Sequence, residues 1–227
     1  MILLAADALL LAVHAVHLVL RRWGAEQNIV TDFLLNTVWN GQNDRSVVEI
    51  WGYLQLATAA LLLFYLSFRQ IQGYAYAVWA LIFLIMTADD VLEWHENIGA
   101  VFSDSRSDAL VFGAPAYAVG QILFWALVAA MLGALLLLAH RRSSPATRRG
   151  STQLMAGTVL LAVFAVGVDL ISAIVMETMG RTAYAVTVYI ETIGELVFMS
   201  VILIVVLRLS TQYRAGKKHS SDLDLVS

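Results

Sequence analysis

The chain has 227 residues, 60% of them hydrophobic and 14% charged, with a formal net charge of −3 and a mean hydropathy of +0.76. A composition this apolar excludes an ordinary soluble domain and points to a polytopic membrane protein. The absence of cysteine excludes a disulfide framework, a thiolate metal site and a cysteine nucleophile.

Crossing about 30 Å of hydrocarbon takes about 20 mainly apolar residues. Residues 2–20, 47–68, 73–97, 114–139, 153–177 and 183–207 meet that requirement, which predicts an all-α bundle of about six transmembrane helices. The first stretch lacks a basic leader, carries Asp7 and has Arg21 and Arg22 after its apolar run, so it reads as a span and not as a signal peptide. Residues 24–45 are too polar to cross. Ile29, Val30, Phe33, Leu34 and Val38 recur there at helical spacing, which fits a short interfacial helix or a structured loop packed on the bundle. The third stretch closes on the polar string from Asp89 to Glu96, which must face protein or water. Residues 1–210 thus form one transmembrane domain, and 211–227 read as a disordered tail.

Arg141, Arg142, Arg148 and Arg149 lie between the fourth and fifth spans, and Arg208, Arg214, Lys217 and Lys218 follow the sixth. The positive-inside tendency makes both regions cytoplasmic, with both termini inside and the chain in the inner (plasma) membrane. Arg21 and Arg22 then fall outside, against the tendency. A five-span arrangement with an interfacial first segment is the alternative.

The acids are the informative residues. Asp7, Glu49, Asp89, Asp90, Glu93, Glu96, Asp169, Glu177, Glu191 and Glu195, ten of the 17 acidic residues, lie within or at the edges of apolar spans, where no Lys or Arg accompanies them. An ionised carboxylate in such surroundings costs roughly 2.5–3.5 kcal/mol on insertion scales. It must be protonated, hydrated, or neutralised by a cation. Because successive spans alternate in direction, nearly all of these acids fall toward one leaflet, together with His14, His17 and Gln121. Asp7 alone is expected toward the opposite face. By the loop charges, the acidic leaflet is expected to be the outer one.

On a helical wheel Asp89, Glu93 and Glu96 share an arc of about 60°, Glu191 and Glu195 are i, i+4 neighbours, and His14 and His17 are i, i+3 neighbours. His95 points away from the Glu93 face unless the helix unwinds locally. The expected metal ligands are Asp89, His95, Glu96, Asp169, Glu191 and Glu195, with His14 and His17, and Asp90 is the candidate base. His95 and Asp169 could instead orient a ligand. The bland alternative is a solvated vestibule with no specific ligand, to which Glu96 and Glu177 are the most open. Carboxylate and imidazole donors suit a divalent Mn, Fe, Zn, Ca or Mg ion.

Other chemistries lack their residues. No span carries a lysine for a retinal-type Schiff base, and there is no phosphate-cradling glycine loop, His-Glu-x-x-His zinc motif or nucleophile elbow. Nucleic acid is not an expected partner. Membrane lipids are, and a homo-oligomer or a larger membrane complex is the further association to test.

The Asp89-Asp90, four-residue spacer, His95-Glu96 string and the later Glu191-x-x-x-Glu195 helix, with Asp169 between them, resemble a group of uncharacterised multi-pass bacterial membrane proteins. The resemblance covers roughly the C-terminal two-thirds, and Thr192 stands where that pattern has a further acid. It implies that these positions matter, favours His95 over Glu93, and supplies no activity. The sequence therefore leads to a divalent-metal site in a helix bundle, in an enzyme or not. A cation or proton transporter or channel, or an accessory subunit of a membrane complex, is the alternative.

Overall fold

The computed structural model describes residues 2–24, 26, 28–41, 45–104, 110–111 and 114–224. In chain order the elements are α1 (Ile2–Trp23), α2 (Ile29–Leu34), a 3₁₀ turn (Thr37–Trp39), α3 (Val47–Arg69), α4 (Tyr74–Leu92) and α5 (Trp94–Asp104). The two-residue strands β1 (Leu110–Val111) and β2 (Ala114–Pro115) pair antiparallel. Then follow α6 (Ala116–Arg142), α7 (Pro145–Ala162), a π-helical turn (Val163–Val168), α8 (Asp169–Met179) and α9 (Arg181–Asp224). Among the described residues six helical stretches are long and apolar enough to cross a membrane: Ile2–Trp23, Val47–Arg69, Tyr74–Leu92, Ala116–Arg142, Pro145–Met176 and Arg181–Arg214. The all-α, membrane-like architecture read from the sequence is the one observed. Helical backbone also continues through 211–224, where composition points to a disordered tail. That stretch holds no proline and a single glycine, Gly216, to interrupt it.

Helix starts follow local chemistry. Ser46 accepts a hydrogen bond from the Glu49 N–H and Ser144 from that of Thr147, each satisfying a donor that the first turn leaves open. Pro145, which has no N–H to lose, occupies the first turn of α7.

The bundle has two unlike ends. At one, the α3–α4 and α6–α7 turns are tied together: the Ser144 N–H donates to the Gln72 carbonyl (3.3 Å), Thr147 Oγ1 to Gln70 Oε1 (3.3 Å) and the Ala75 N–H to Ser143 Oγ (2.9 Å). Arg69, Arg141, Arg142, Arg148 and Arg149 gather around these turns, so this is the basic end. Just inside it lies the packed core, in which Leu56, Leu63, Trp79, Phe83, Leu154 and Val206 are almost wholly buried. The one polar atom of Trp79 is satisfied, its Nε1–H donating to Ser151 Oγ at 2.9 Å. Apolar residues also point outward, Leu61, Leu127 and Met131 being more than 60% exposed, as expected where lipid tails replace water.

The other end is acidic, and two details there differ from expectation. The third span stops at Leu92 and does not run on to residue 97. Glu93 adopts a left-handed conformation (φ 56°), which breaks the hydrogen-bond ladder, and α5 starts afresh at Trp94. Helix α1 is also shifted along the bundle axis. Leu11 clusters with Val48 and Leu196, and Asp7 meets Trp51 and Gln55, so α1 runs antiparallel to α3 with its last turns beyond the start of α3. Asp7 therefore lies toward the acidic end, not displaced to the opposite face.

Candidate functional site

The acidic end is organised around Asp89, which is fully buried. Its Oδ1 accepts the backbone N–H of His95 at 3.0 Å and its Oδ2 meets His95 Nδ1 at 2.6 Å. The left-handed Glu93 makes this geometry available. By breaking the helix it turns His95 back over the last turn of α4, so the carboxylate caps the new helix and holds the ring. Burial alone would lower the His95 pKa, but the hydrogen bond and charge of Asp89, with the charges of Glu96 and Asp90, outweigh it and raise it. With Nδ1 committed to Asp89, Nε2 is the ring nitrogen left for another partner. Both oxygens of Asp89 serve His95, which makes Asp89 the positioning group and His95 the presented one.

Around this pair lie the other expected acids. Asp90 interacts electrostatically with Asp89 and His95, Asp169 with His95, and Glu195 with Glu191, Asp90, Glu49 and Asp169. Four helices thus aim carboxylates at one region: α3 supplies Glu49, α4 Asp90, α8 Asp169, and α9 Glu191 and Glu195. Glu96, at the start of α5, adds its charge beside His95. Ser172 Oγ contacts the Val168 carbonyl (2.9 Å) and Glu191 Oε2 (3.2 Å), and Glu49 Oε2 accepts from the Arg45 N–H (2.7 Å) and the Tyr53 hydroxyl (3.0 Å). Immediately before Asp169 the chain makes its π-helical turn, a distortion frequently found at functional sites. Opposite that turn, Gly194 lies between the two glutamates of α9, and a Cβ there would run into the Phe164 ring. Glycine at 194 lets the π turn and α9 approach closely, which sets the spacing of Asp169 from Glu191 and Glu195.

Not every acid lacks a basic neighbour. Arg45 Nη2 reaches Glu93 Oε1 at 3.5 Å, which corrects the expectation for Glu93. Arg45 comes from the loop before α3, outside any span, and sequence distance hides the contact. The Glu177 side chain lies outside the described residues. Asp7 is paired by neutral donors: its Oδ1 accepts from Trp51 Nε1 (2.8 Å) and Gln55 Nε2 (3.1 Å).

His14 and His17 stand apart from the carboxylates gathered around His95. Both are buried on α1 beneath the segment from Leu34 to Gly41. The His14 ring lies 5.5 Å from that of Tyr189 on α9. Tyr189 and Glu191 are separated by roughly 160° around their helix, so α9 presents its glutamates to α8 and α4 and its tyrosine to α1. The structure therefore divides the expected ligand set into a carboxylate–His95 group and a two-histidine group. Sequence reasoning did not find Ser172, Tyr189, Gln55 or Gly41. Only the recurrence of Asp7, Leu11 and His14 at helical spacing signalled that α1 buries a polar face.

The donor chemistry of the larger group suits a hard or borderline divalent ion. In this conformation, among the described residues, no three His, Asp or Glu side chains converge as a metal cage. What is in place is an imidazole oriented by a carboxylate, with further carboxylates around it. Residues 2–210 match the family described as Domain of unknown function (DUF8692). The chain belongs to that family. Comparison with curated proteins and with solved structures gave no match.

Proposed function

We propose that this membrane protein binds a divalent cation at its acidic end, through His95 Nε2 and a subset of Asp90, Asp169, Glu191 and Glu195, with Asp89 fixing the His95 ring. The observation that carries the reading is the pairing of Asp89 with both the N–H and Nδ1 of His95, beside Asp90, Asp169, Glu191 and Glu195, for which no ion pair with Lys or Arg is found among the described residues. Metal-binding histidines characteristically donate their second ring N–H to such a carboxylate. Since no three of these side chains converge among the described residues, binding requires the carboxylates to draw in around the ion. A bound ion would supply Lewis acidity or an activated water, with Asp90, where it is not itself a ligand, as the candidate base. With the basic end facing the cytoplasm, the site opens toward the outer leaflet, where lipid is the accessible substrate class.

A conduit for protons or cations is the competing reading. It needs a polar route to the basic end, and the core of Leu56, Leu63, Phe83 and Leu154 occupies that direction, which favours a static site. Equilibrium dialysis of the purified, detergent-solubilised protein against Mn²⁺, Zn²⁺ and Ca²⁺ tests the proposal. One ion per chain is expected, weakened by Glu195→Gln and by His95→Gln. Saturation that neither variant alters, or no retained ion, refutes it. Cation flux into protein-containing liposomes would establish the conduit instead.

A further inference from the structure

The second polar group sits on the other side of α9 and is built differently. The buried residues of α1 are Asp7, Leu11, His14 and His17, which share an arc of about 120°. His17 Nδ1 lies 2.8 Å from the Leu34 carbonyl oxygen, an acceptor only, so the ring proton is on Nδ1. In the neutral ring Nε2 then carries a bare lone pair, and that atom is buried without a hydrogen-bond partner among the described residues. His14 Nδ1 is 3.0 Å from both the Trp39 carbonyl and the Gly41 N–H. It can donate to the first or accept from the second, not both. Its Nε2 is likewise buried and unpartnered. Both side chains are essentially inaccessible, at 0% and 1% exposure.

Gly41 adds an independent observation. Its φ lies outside the left-handed region, so no backbone conformation demands glycine here. A Cβ at 41 would stand 3.3 Å from His14 Nε2 and 3.2 Å from Thr192 Cγ2. Glycine at this position keeps clear the space beside that nitrogen. The two imidazoles, about one helical turn apart and interacting electrostatically, each set Nδ1 against a backbone carbonyl of the same covering segment, which leaves Nε2 of each as the donor for a metal.

We infer that His14 and His17 form a second metal site, distinct from the carboxylate group, and that its ion is copper(I). Imidazole suits zinc, copper, iron and nickel. No carboxylate is among the described partners of either ring, so the ligands offer no compensating charge. Ion desolvation rises with the square of the charge, so a buried site of neutral ligands favours a monovalent ion over a divalent one. Copper(I) is monovalent and is satisfied by two nitrogen donors. Its binding would select, at His14, the tautomer that donates to the Trp39 carbonyl. No electron transfer is implied, and the inference does not rest on the carboxylate site.

The test is a competition between the full-length protein in detergent, under reducing conditions, and bicinchoninate for copper(I), read from the absorbance of the copper–bicinchoninate complex. One copper(I) per chain is expected. Affinity should fall at least about tenfold in His14→Gln, in His17→Gln and in Gly41→Ala, the last leaving both rings present. Glu195→Gln should leave it unchanged, which keeps failure here separate from failure at the carboxylate site. Copper that is not retained, or retained equally by the His14→Gln/His17→Gln double variant, overturns the inference. So does zinc(II) binding more tightly than copper(I) at these two residues. Should the histidine variants fail to fold, X-ray absorption of the copper-loaded wild type decides: two imidazole nitrogens are expected, and oxygen or sulfur ligation refutes the site.

Discussion

Replacing Asp89 by asparagine isolates the link between geometry and chemistry at the acidic end. Asp89 accepts two N–H groups of His95, one at each oxygen. Asparagine has a single acceptor oxygen, so one of those donors must face an amide NH₂. Hydrogen bonds to a charged group contribute about 1.5–3 kcal/mol, and a buried donor left unpaired costs about 1–3 kcal/mol. Asparagine keeps one bond, and the His95 side chain is 24% exposed, so water satisfies part of what is lost. The net cost should sit near the lower end, about 1.5–2 kcal/mol. If the ring relieves the clash by changing tautomer, Nε2 gains the proton and loses its lone pair. Affinity for a divalent cation should then fall about 10–100-fold. Unfolding in a denaturing-detergent series measures the first effect, and ¹⁵N NMR of histidine-labelled protein reads the tautomer whether or not a metal binds. A variant within about 0.5 kcal/mol of wild type, with unshifted His95 ring nitrogens, would refute the reasoning.

Gly194→Ala forces the Phe164 ring to move, and overpacking of this kind should cost about 1–3 kcal/mol in the same unfolding assay and weaken cation binding, because the π turn carries Asp169. Arg45→Ala removes a partner that is itself 72% exposed, so stability should change by no more than about 0.5 kcal/mol. The His95 pKa is raised in the folded protein, so the charged form adds stability that is complete below the unfolded value of 6.5 and is lost as pH rises through the folded value. In chelator-treated protein the stability gap between wild type and Asp89→Asn should therefore narrow with rising pH. A gap that widens contradicts the assigned pair.

Much of the scaffold was legible because membranes impose a length rule that apolar runs obey one by one. Five of the six spans needed no knowledge of their neighbours. The third shows the limit: nothing in Val91-Leu92-Glu93-Trp94 breaks a helix, and the break depends on Asp89 rewarding the new start by capping it. Depth was equally readable for acids whose helices span in step, and it misplaced Asp7 because helix length does not fix the axial shift of α1. The division of the histidines from the glutamates was readable in part from the wheel of α9. It required knowing that α1 packs on the Tyr189 face, which only tertiary contact decides. Arg45 was out of reach for the same reason, since 48 residues separate it from Glu93.

The two polar groups pose opposite electrostatic problems, and that contrast constrains what each can hold. On the α4–α8 side of α9, acidic oxygens are in excess and the compensation must be positive: protons, or a cation that displaces them. These compete for the same lone pairs, so loading a divalent ion at fixed pH should release protons in proportion to the carboxyls it captures. On the α1 side the described ligands are imidazole nitrogens and include no carboxyl, with the His17 Nδ1–H held by the Leu34 carbonyl. Binding there should release almost none. A single calorimetric series in buffers of different ionisation enthalpy distinguishes the two, because only the first site makes the apparent heat depend on the buffer. Helix α9 carries Glu191 and Glu195 on one face and Tyr189 on another, so the same helix lies between the carboxylate group and the histidine pair.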